Sequence, residues 1–213
     1  MNKEMELFLN EYKNNKDIDY LKAIFGDKDR KEIEKEINKL KNRKKQVKEP
    51  NLYIFLGILY CGISGIEADY KEAVKWFRKA IDLDCSKSFN SGIAFAFYQL
   101  GCLYRDGKGV EQDYEEAKNY FEKASNNGYI DAFYQLGCLY RDGIGVEQDY
   151  KKAIEYFEKA VEQHHSESKY ELGLLYYCGL GKEENKEKAI TLFHESAEQG
   201  NIQSKIILEL CKK

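Results

Sequence analysis

The stretch Ala96–Ala124 reads AFYQLGCLYRDGKGVEQDYEEAKNYFEKA, and Ala132–Ala160 reads AFYQLGCLYRDGIGVEQDYKKAIEYFEKA; the two differ at five positions. Self-similarity at a period of about 20 to 50 residues marks a repeat architecture and takes precedence over any residue-by-residue assignment. Weaker copies flank the pair, LYIFLGILYCGISGIEADYKEAVKWFRKA from Leu52 to Ala80 and SKYELGLLYYCGLGKEENKEKAITLFHES from Ser168 to Ser196. One glycine anchors every copy. Gly57, Gly101, Gly137 and Gly173 stand 44, 36 and 36 residues apart, the longer first interval holding an eight-residue insertion around Asp84 to Gly92. Repeats are therefore expected near 52–89, 92–129, 130–165 and 166–200, with residues 201–213 forming a half repeat.

Each copy reads as two helices. In the third, Ala132, Leu136, Leu139 and Tyr140 follow the 3.6-residue period of one helix face. Arg141-Asp142-Gly143-Ile144-Gly145 then ends the helix, its two glycines supplying the positive φ angles of a tight turn. The second helix is predicted to start at Asp149, aligned with Asp69, Asp113 and Asn185, all side chains that accept a hydrogen bond from an otherwise unpaired first-turn amide. Asp69 with Glu72, and Asp113 with Glu116, have the spacing of a capping box. Tyr150, Ala153, Phe157 and Ala160 mark the inward stripe. Small residues at Gly137, Ala153 and Ala160 allow close approach of the backbones, and Leu136, Tyr140 and Phe157 fill the space between.

The frame Ala-x-x-x-Leu-Gly-x-Leu-Tyr-x-x-Gly-x-Gly-Val-x-x-Asp-Tyr-x-x-Ala-x-x-x-Phe-x-x-Ala, read from Ala96 and again from Ala132, resembles the Sel-one-like repeat, a relative of the tetratricopeptide repeat. The resemblance implies an all-α fold, a right-handed α/α solenoid of stacked helical hairpins over residues 51–213, and a role in binding or assembling other proteins. Residues 1–50 do not match. They read as helical, with Met5, Phe8, Leu9 and Tyr12 on one stripe, Ile18, Leu21, Ile24 and Phe25 on a second, and Ile33, Ile37, Leu40 and Val47 on a third. Pro50 punctuates the entry to the first repeat. A solenoid needs a polar-faced end, so this segment is expected to be an N-terminal helical cap.

Composition excludes other classes. Apolar residues make up 43% and charged residues 33% of the 213, which is neither a disordered nor a membrane-spanning composition. The acidic start Met1-Asn2-Lys3-Glu4-Met5-Glu6 lacks the pattern of a secretory leader, so a cytoplasmic location is expected. A net charge of −3 supplies no global field for nucleic acid or anionic lipid.

By analogy with the tetratricopeptide repeat, the first helix of each pair lines a concave groove. Positions three before, one after and four after the anchor glycine are then expected to face it: Tyr98, Cys102 and Arg105; Tyr134, Cys138 and Arg141; Tyr170, Leu174 and Tyr177; and Ile54, Ile58 and Cys61 in the first copy. Tyrosine and arginine combine large contact area with directed hydrogen bonds and are enriched at protein-binding hot spots. The candidate partner-binding residues are therefore Tyr98, Arg105, Tyr134, Arg141, Tyr170 and Tyr177. Packing against the next repeat is the competing role for the tyrosines.

Six cysteines raise the question of bridges. Cys102 and Cys138 are equivalent residues of adjacent repeats, about 8 to 10 Å apart in a helical stack, beyond the roughly 7 Å a disulfide tolerates. Cys61, Cys85, Cys178 and Cys211 occupy four different repeat positions, so reduced thiols are expected. His164-His165 falls at a helix-end linker with no companion ligand, so no metal or cofactor is expected. Gly107-Lys108-Gly109 and Gly143-Ile144-Gly145 follow helices rather than strands and read as turn glycines, not phosphate loops. The run Lys39 to Lys48 is basic but has no interleaved aromatic for base stacking and reads as a solvated helix end.

Three function classes follow. The first is a non-catalytic scaffold binding a protein or peptide in the groove, with an inhibitor or immunity protein as its sharper form. The second is a hydrolase using the groove, for which the groove positions offer thiols but no histidine. The third is nucleic-acid binding through Lys39 to Lys48.

Overall fold

The computed structural model describes residues 50–62, 67–83 and 91–211. The expected N-terminal cap, the basic run and most of the eight-residue insertion lie outside the described residues. Nine helices and no strand occur among them: α1 (Pro50–Tyr60), α2 (Tyr70–Leu83), α3 (Ser91–Asp106), α4 (Tyr114–Asn126), α5 (Ile130–Asp142), α6 (Tyr150–Val161), α7 (Ser166–Cys178), α8 (Lys186–Glu198) and α9 (Ile202–Cys211). They fall into two compact units, one up to Gln112 and the other from Asp113.

The all-helical reading holds, and its local reasons are visible. Pro50 opens α1 at the first helical position, where its missing N–H is no loss. Asp69, Asp113, Asp149 and Asn185 each accept from a first-turn amide, those of Glu72 (3.1 Å), Glu116 (2.9 Å), Lys152 (3.1 Å) and Lys188 (2.9 Å). The return half of the capping box is replaced by something else. The Asp69, Asp149 and Asn185 amides donate to the carbonyls of Tyr60, Tyr140 and Tyr176 in the helix before, at 2.9, 2.8 and 2.9 Å, while the Glu72 carboxylate takes Lys75 at 2.7 Å. These three turns are thereby closed at both ends by their own hairpins.

The anchor glycine sets the spacing within a hairpin. A Cβ placed on Gly137 would lie 2.5 Å from a ring carbon of Phe157, and on Gly57 or Gly173 it would lie 2.6 Å from Phe77 or Phe193. All three rings are essentially inaccessible to water. In the second unit Ala153, Ile154, Phe157, Leu172, Leu175, Ala189, Leu192 and Phe193 belong to one continuous core closed by Leu208 of α9.

The second turn glycine sets the spacing between hairpins. Gly109, Gly145 and Gly181, all at positive φ, rest against the first residue of an earlier second helix: Tyr70, Tyr114 and Tyr150 respectively. A side chain there has neither an ordinary φ nor any room. Polar contacts reinforce the stack. The Tyr176 hydroxyl donates to Glu158 (3.0 Å) and accepts from Lys188 (2.7 Å), tying α6, α7 and α8 together; at the corresponding place in the first unit, Arg78 hydrogen-bonds the Tyr104 hydroxyl.

Candidate binding site

In the first unit, Tyr98, Cys102 and Arg105 follow one another along α3, all half-buried. Arg105 Nε donates to Asp106 Oδ1 at 2.8 Å, and Lys108 reaches the other oxygen at 3.3 Å. The expected extension of this strip into the first copy fails. Ile54 and Ile58 are 0% and 1% exposed and so offer no surface to a partner. Burial pushes the Cys61 thiol up to about 12, with Cys102 adding to the effect and Lys108 opposing it.

In the second unit, α5 carries Tyr134, Cys138 and Arg141, and α7 carries Tyr170, Leu174 and Tyr177. Arg141 sits in the last turn of α5, where Gln148 donates to its carbonyl at 2.8 Å and pins the helix end. Its guanidinium grips Asp142 with two bonds, Nε to Oδ1 and Nη2 to Oδ2, both 2.7 Å. The remaining Nη1 reaches across to Glu171 of α7. Arg141 is 26% exposed and Glu171 14%, so this is a half-desolvated pair joining consecutive hairpins. Position alone leaves Arg141 outside the core pattern; the structure shows it as a clamp between repeats.

Tyr134 leans on two rings, Phe157 at 6.0 Å and His165 at 5.2 Å between centroids. Burial, with Cys138 adding to it, raises the Tyr134 hydroxyl above the ordinary tyrosine range, and burial pushes the Cys138 thiol up to about 11. Tyr170 repeats the first contact, its ring 6.0 Å from Phe193. Burial and then Glu171 raise its hydroxyl as well. Tyr170 thus packs within its own hairpin and Tyr134 between its hairpin and the cap of α7, both keeping part of their surface open. Tyr177 is different: it is 37% exposed, with Lys186 Nζ 5.6 Å from its ring centroid.

Two functional-looking residues escaped the sequence. Glu171 is one, and its signal was present: Gln99 and Gln135 hold that position in the near-identical copies, and only the copy after Arg141 replaces Gln by Glu. His165 is the other. It is the N-cap of α7, its Nδ1 accepting from the Ser168 amide at 3.1 Å, with Nε2 3.4 Å from Asp131. Histidine is an unusual N-cap, so no composition rule points to it. Among the described residues no group of three or more His, Cys, Asp or Glu side chains is placed to hold a metal ion. A separate cleft of about 540 Å³, lined by Glu115, Lys118, Tyr140, Val146, Asp149 and Lys152, mixes both charges without a nucleophile and base. No helix among the described residues is long and apolar enough to cross a membrane.

Helix pairs locked by an anchor glycine under a phenylalanine, with an aromatic and charged strip along the first helices, define a helical-hairpin repeat protein. The Sel1 repeat family matches residues 52–85, 94–129, 130–165 and 166–201, and the chain belongs to it. Among solved structures it is similar to c5321, a protective antigen of uropathogenic Escherichia coli with an SLR fold, at 30% identity and TM-score 0.69 over 79% of this chain and 34% of that one. It thus spans about a third of that protein's length. It is also similar to a Sel1 repeat protein from Oxalobacter formigenes, at 29% identity and TM-score 0.68 over 82% and 73% of the two chains. MamA shares the fold at 22% identity and TM-score 0.56, over 89% of this chain and 98% of its own. No curated protein matches the chain. Sel1 repeats are in general protein-interaction scaffolds.

Proposed function

We propose that the protein is a non-catalytic scaffold that binds a protein or peptide along the first helices of its repeats, through Tyr98, Arg105, Tyr134, Arg141, Tyr170 and Tyr177. The observation that carries this is the strip itself. Tyr134 and Tyr170 are anchored on buried phenylalanines with part of each ring open, Tyr177 is exposed beside them in the register, and Arg141 is held rigid between two carboxylates. Rigid aromatic groups lose little entropy on binding, which is what a hot spot requires. The Arg141 clamp changes the expected chemistry of recognition. A partner carboxylate would have to displace Asp142 or Glu171 from the guanidinium.

The hydrolase alternative loses support at Cys138, because a thiol pushed up to about 11 has little thiolate at neutral pH and no imidazole is bonded to it. The unbridged Cys61, Cys102, Cys138 and Cys178 fit a reducing, cytoplasmic compartment. An inhibitor or immunity protein is the sharper form of the scaffold and requires that binding abolish the partner's own activity. The test is affinity capture from the native cell with mass spectrometry, followed by capture with Tyr177→Ala and Glu171→Gln/Asp142→Asn chains. Loss of at least about tenfold in affinity for each supports the site; a captured partner that binds both variants as tightly as the wild type refutes it.

A further inference from the structure

We infer that His165 is a proton-operated latch: protonation of its imidazole releases the first turn of α7 and the seat of Tyr134 together. One orientation of the ring serves both. Its Nδ1 accepts from the Ser168 amide at 3.1 Å and lies 2.9 Å from the Ser168 hydroxyl oxygen, while the ring leans on Tyr134 at 5.2 Å between centroids. An Nδ1 that accepts carries no proton, so the neutral ring bears its hydrogen on Nε2. A second proton can enter only at Nδ1, where the new N–H meets the Ser168 N–H head on. Ser168 is fully buried, so no water replaces the lost acceptor, and the ring and the turn cannot both stay in place.

The surroundings pull the ring both ways. From α5 it faces Tyr134 and Asp131, whose Oδ1 is 3.4 Å from Nε2; from α7 it faces Glu167, 3.6 Å from the same nitrogen; from α6 the Ala160 carbonyl takes its backbone N–H at 3.1 Å. Lys169, the lysine of α7, is tied to Glu195 of α8 at 2.8 Å. Two carboxylates at Nε2 therefore favour the imidazolium, while the cap at Nδ1 needs the neutral ring. The repeat register supplies the contrast. Tyr129 and Asn201 stand in the place of His165. Tyr129 makes no side-chain cap, whereas Asn201 caps α9 by accepting from the Ser204 amide at 2.9 Å, and its amide side chain does not titrate. Ser168 and Ser204 are equivalent and both fully buried, so one molecule holds a proton-sensitive helix start and an insensitive one. The latch acts on Tyr134 with or without a partner on the strip.

Nuclear magnetic resonance on the full chain, from about pH 8 down to about pH 5, covers the span in which a histidine changes charge and tests this. The imidazole nitrogen shifts of His165 are expected to show an Nε2–H ring at the upper end that gains its second proton within the span. Across that titration the Ser168 amide should lose at least about tenfold of its exchange protection, corrected for the intrinsic rate, and the Tyr134 ring signals should move with it, while the Ser204 amide keeps its protection. His165→Asn should hold Ser168 protected at every pH. His164→Gly, which removes the neighbouring imidazole from a position with a φ of 63°, should leave the effect intact. Comparing Ser168 with Ser204 inside the wild type gives an answer even if a variant folds poorly. A His165 ring that stays neutral to about pH 5 overturns the proposal, as does a Ser168 amide that follows Ser204 or a His165→Asn chain that keeps the pH dependence.

Discussion

Replacing Gly137 by alanine sets two opposed effects against each other at one site. Alanine is a better helix former than glycine by about 1 kcal/mol in a helix interior. Against this, the new methyl would lie 2.5, 2.6 and 2.9 Å from Phe157 Cε1, Cδ1 and Cζ, whereas ordinary contacts between carbon atoms fall at about 3.5 to 4.0 Å. The ring must retreat by about 1 Å, yet Phe157 is completely buried among Ala153, Leu172 and Leu175 and has nowhere to go. Overpacking of this kind costs about 1 to 3 kcal/mol, so Gly137→Ala should destabilise by up to about 2 kcal/mol net, and Gly137→Leu by more. Urea unfolding followed by far-UV circular dichroism measures it, with a lowering of the thermal midpoint by about 2 to 4 °C per kcal/mol as a second readout. Pairing Gly137→Ala with Phe157→Leu should recover part of the loss, a coupling of about 1 kcal/mol between touching residues. A Gly137→Ala protein more stable than wild type would show helix propensity winning over the contact and would refute the account of why glycine anchors the repeat.

Asp149→Ala should cost about 1 kcal/mol, since the Lys151 and Lys152 amides lose their acceptor; an unchanged urea midpoint would contradict it. Ser204→Ala should stabilise by about 1 kcal/mol, because the buried Ser204 hydroxyl has no hydrogen-bond partner and Ala96 and Ala132 hold that place elsewhere. Arg141→Ala should destabilise through the stranded, mostly buried Glu171, and adding Glu171→Gln should return part of that loss; additive effects in the two variants would mean that the clamp is not coupled. The thiols predict a sign for pH. Cys61 and Cys138 hold their protons above the ordinary 9.0, up to about 12 and about 11, so the stability they contribute is complete below about pH 9 and falls as pH rises through 11 to 12. The thermal midpoint should decline over that interval, and iodoacetamide at pH 8 should label exposed Cys178 well before Cys138; equal labelling rates would contradict the burial of Cys138.

The frame legible in the sequence is the part made by contacts within a hairpin. Gly137 and Phe157, or Asp149 and its first-turn amides, lie close along the chain and recur in every copy, so periodicity reports them directly. Contacts between hairpins are less legible because they join residues at different repeat positions. Arg141 meets Glu171 only because four residues after one anchor glycine comes to lie beside two before the next. Tyr134 and Tyr170 were readable as candidates but not as rings seated on Phe157 and Phe193. Ile54 and Ile58 show the cost of carrying a position across copies, since both are buried while Leu174, at the same position as Ile58, is only half-buried. His165 as a cap had no histidine in another copy to announce it.

The contact of Gly109, Gly145 and Gly181 with Tyr70, Tyr114 and Tyr150 also governs how such a chain can grow. Each turn is seated on the start of a previous second helix, so the seat for any new turn already exists once one complete copy is in place. Material gained or lost in whole periods leaves every seat matched to a turn, while a few residues added between a glycine turn and its helix would lift that turn off. The eight extra residues of the first interval obey this rule: they enter between α2 and α3, and Gly109 still meets Tyr70. Two copies differing at five positions are thus a genetic step that the architecture absorbs without repair.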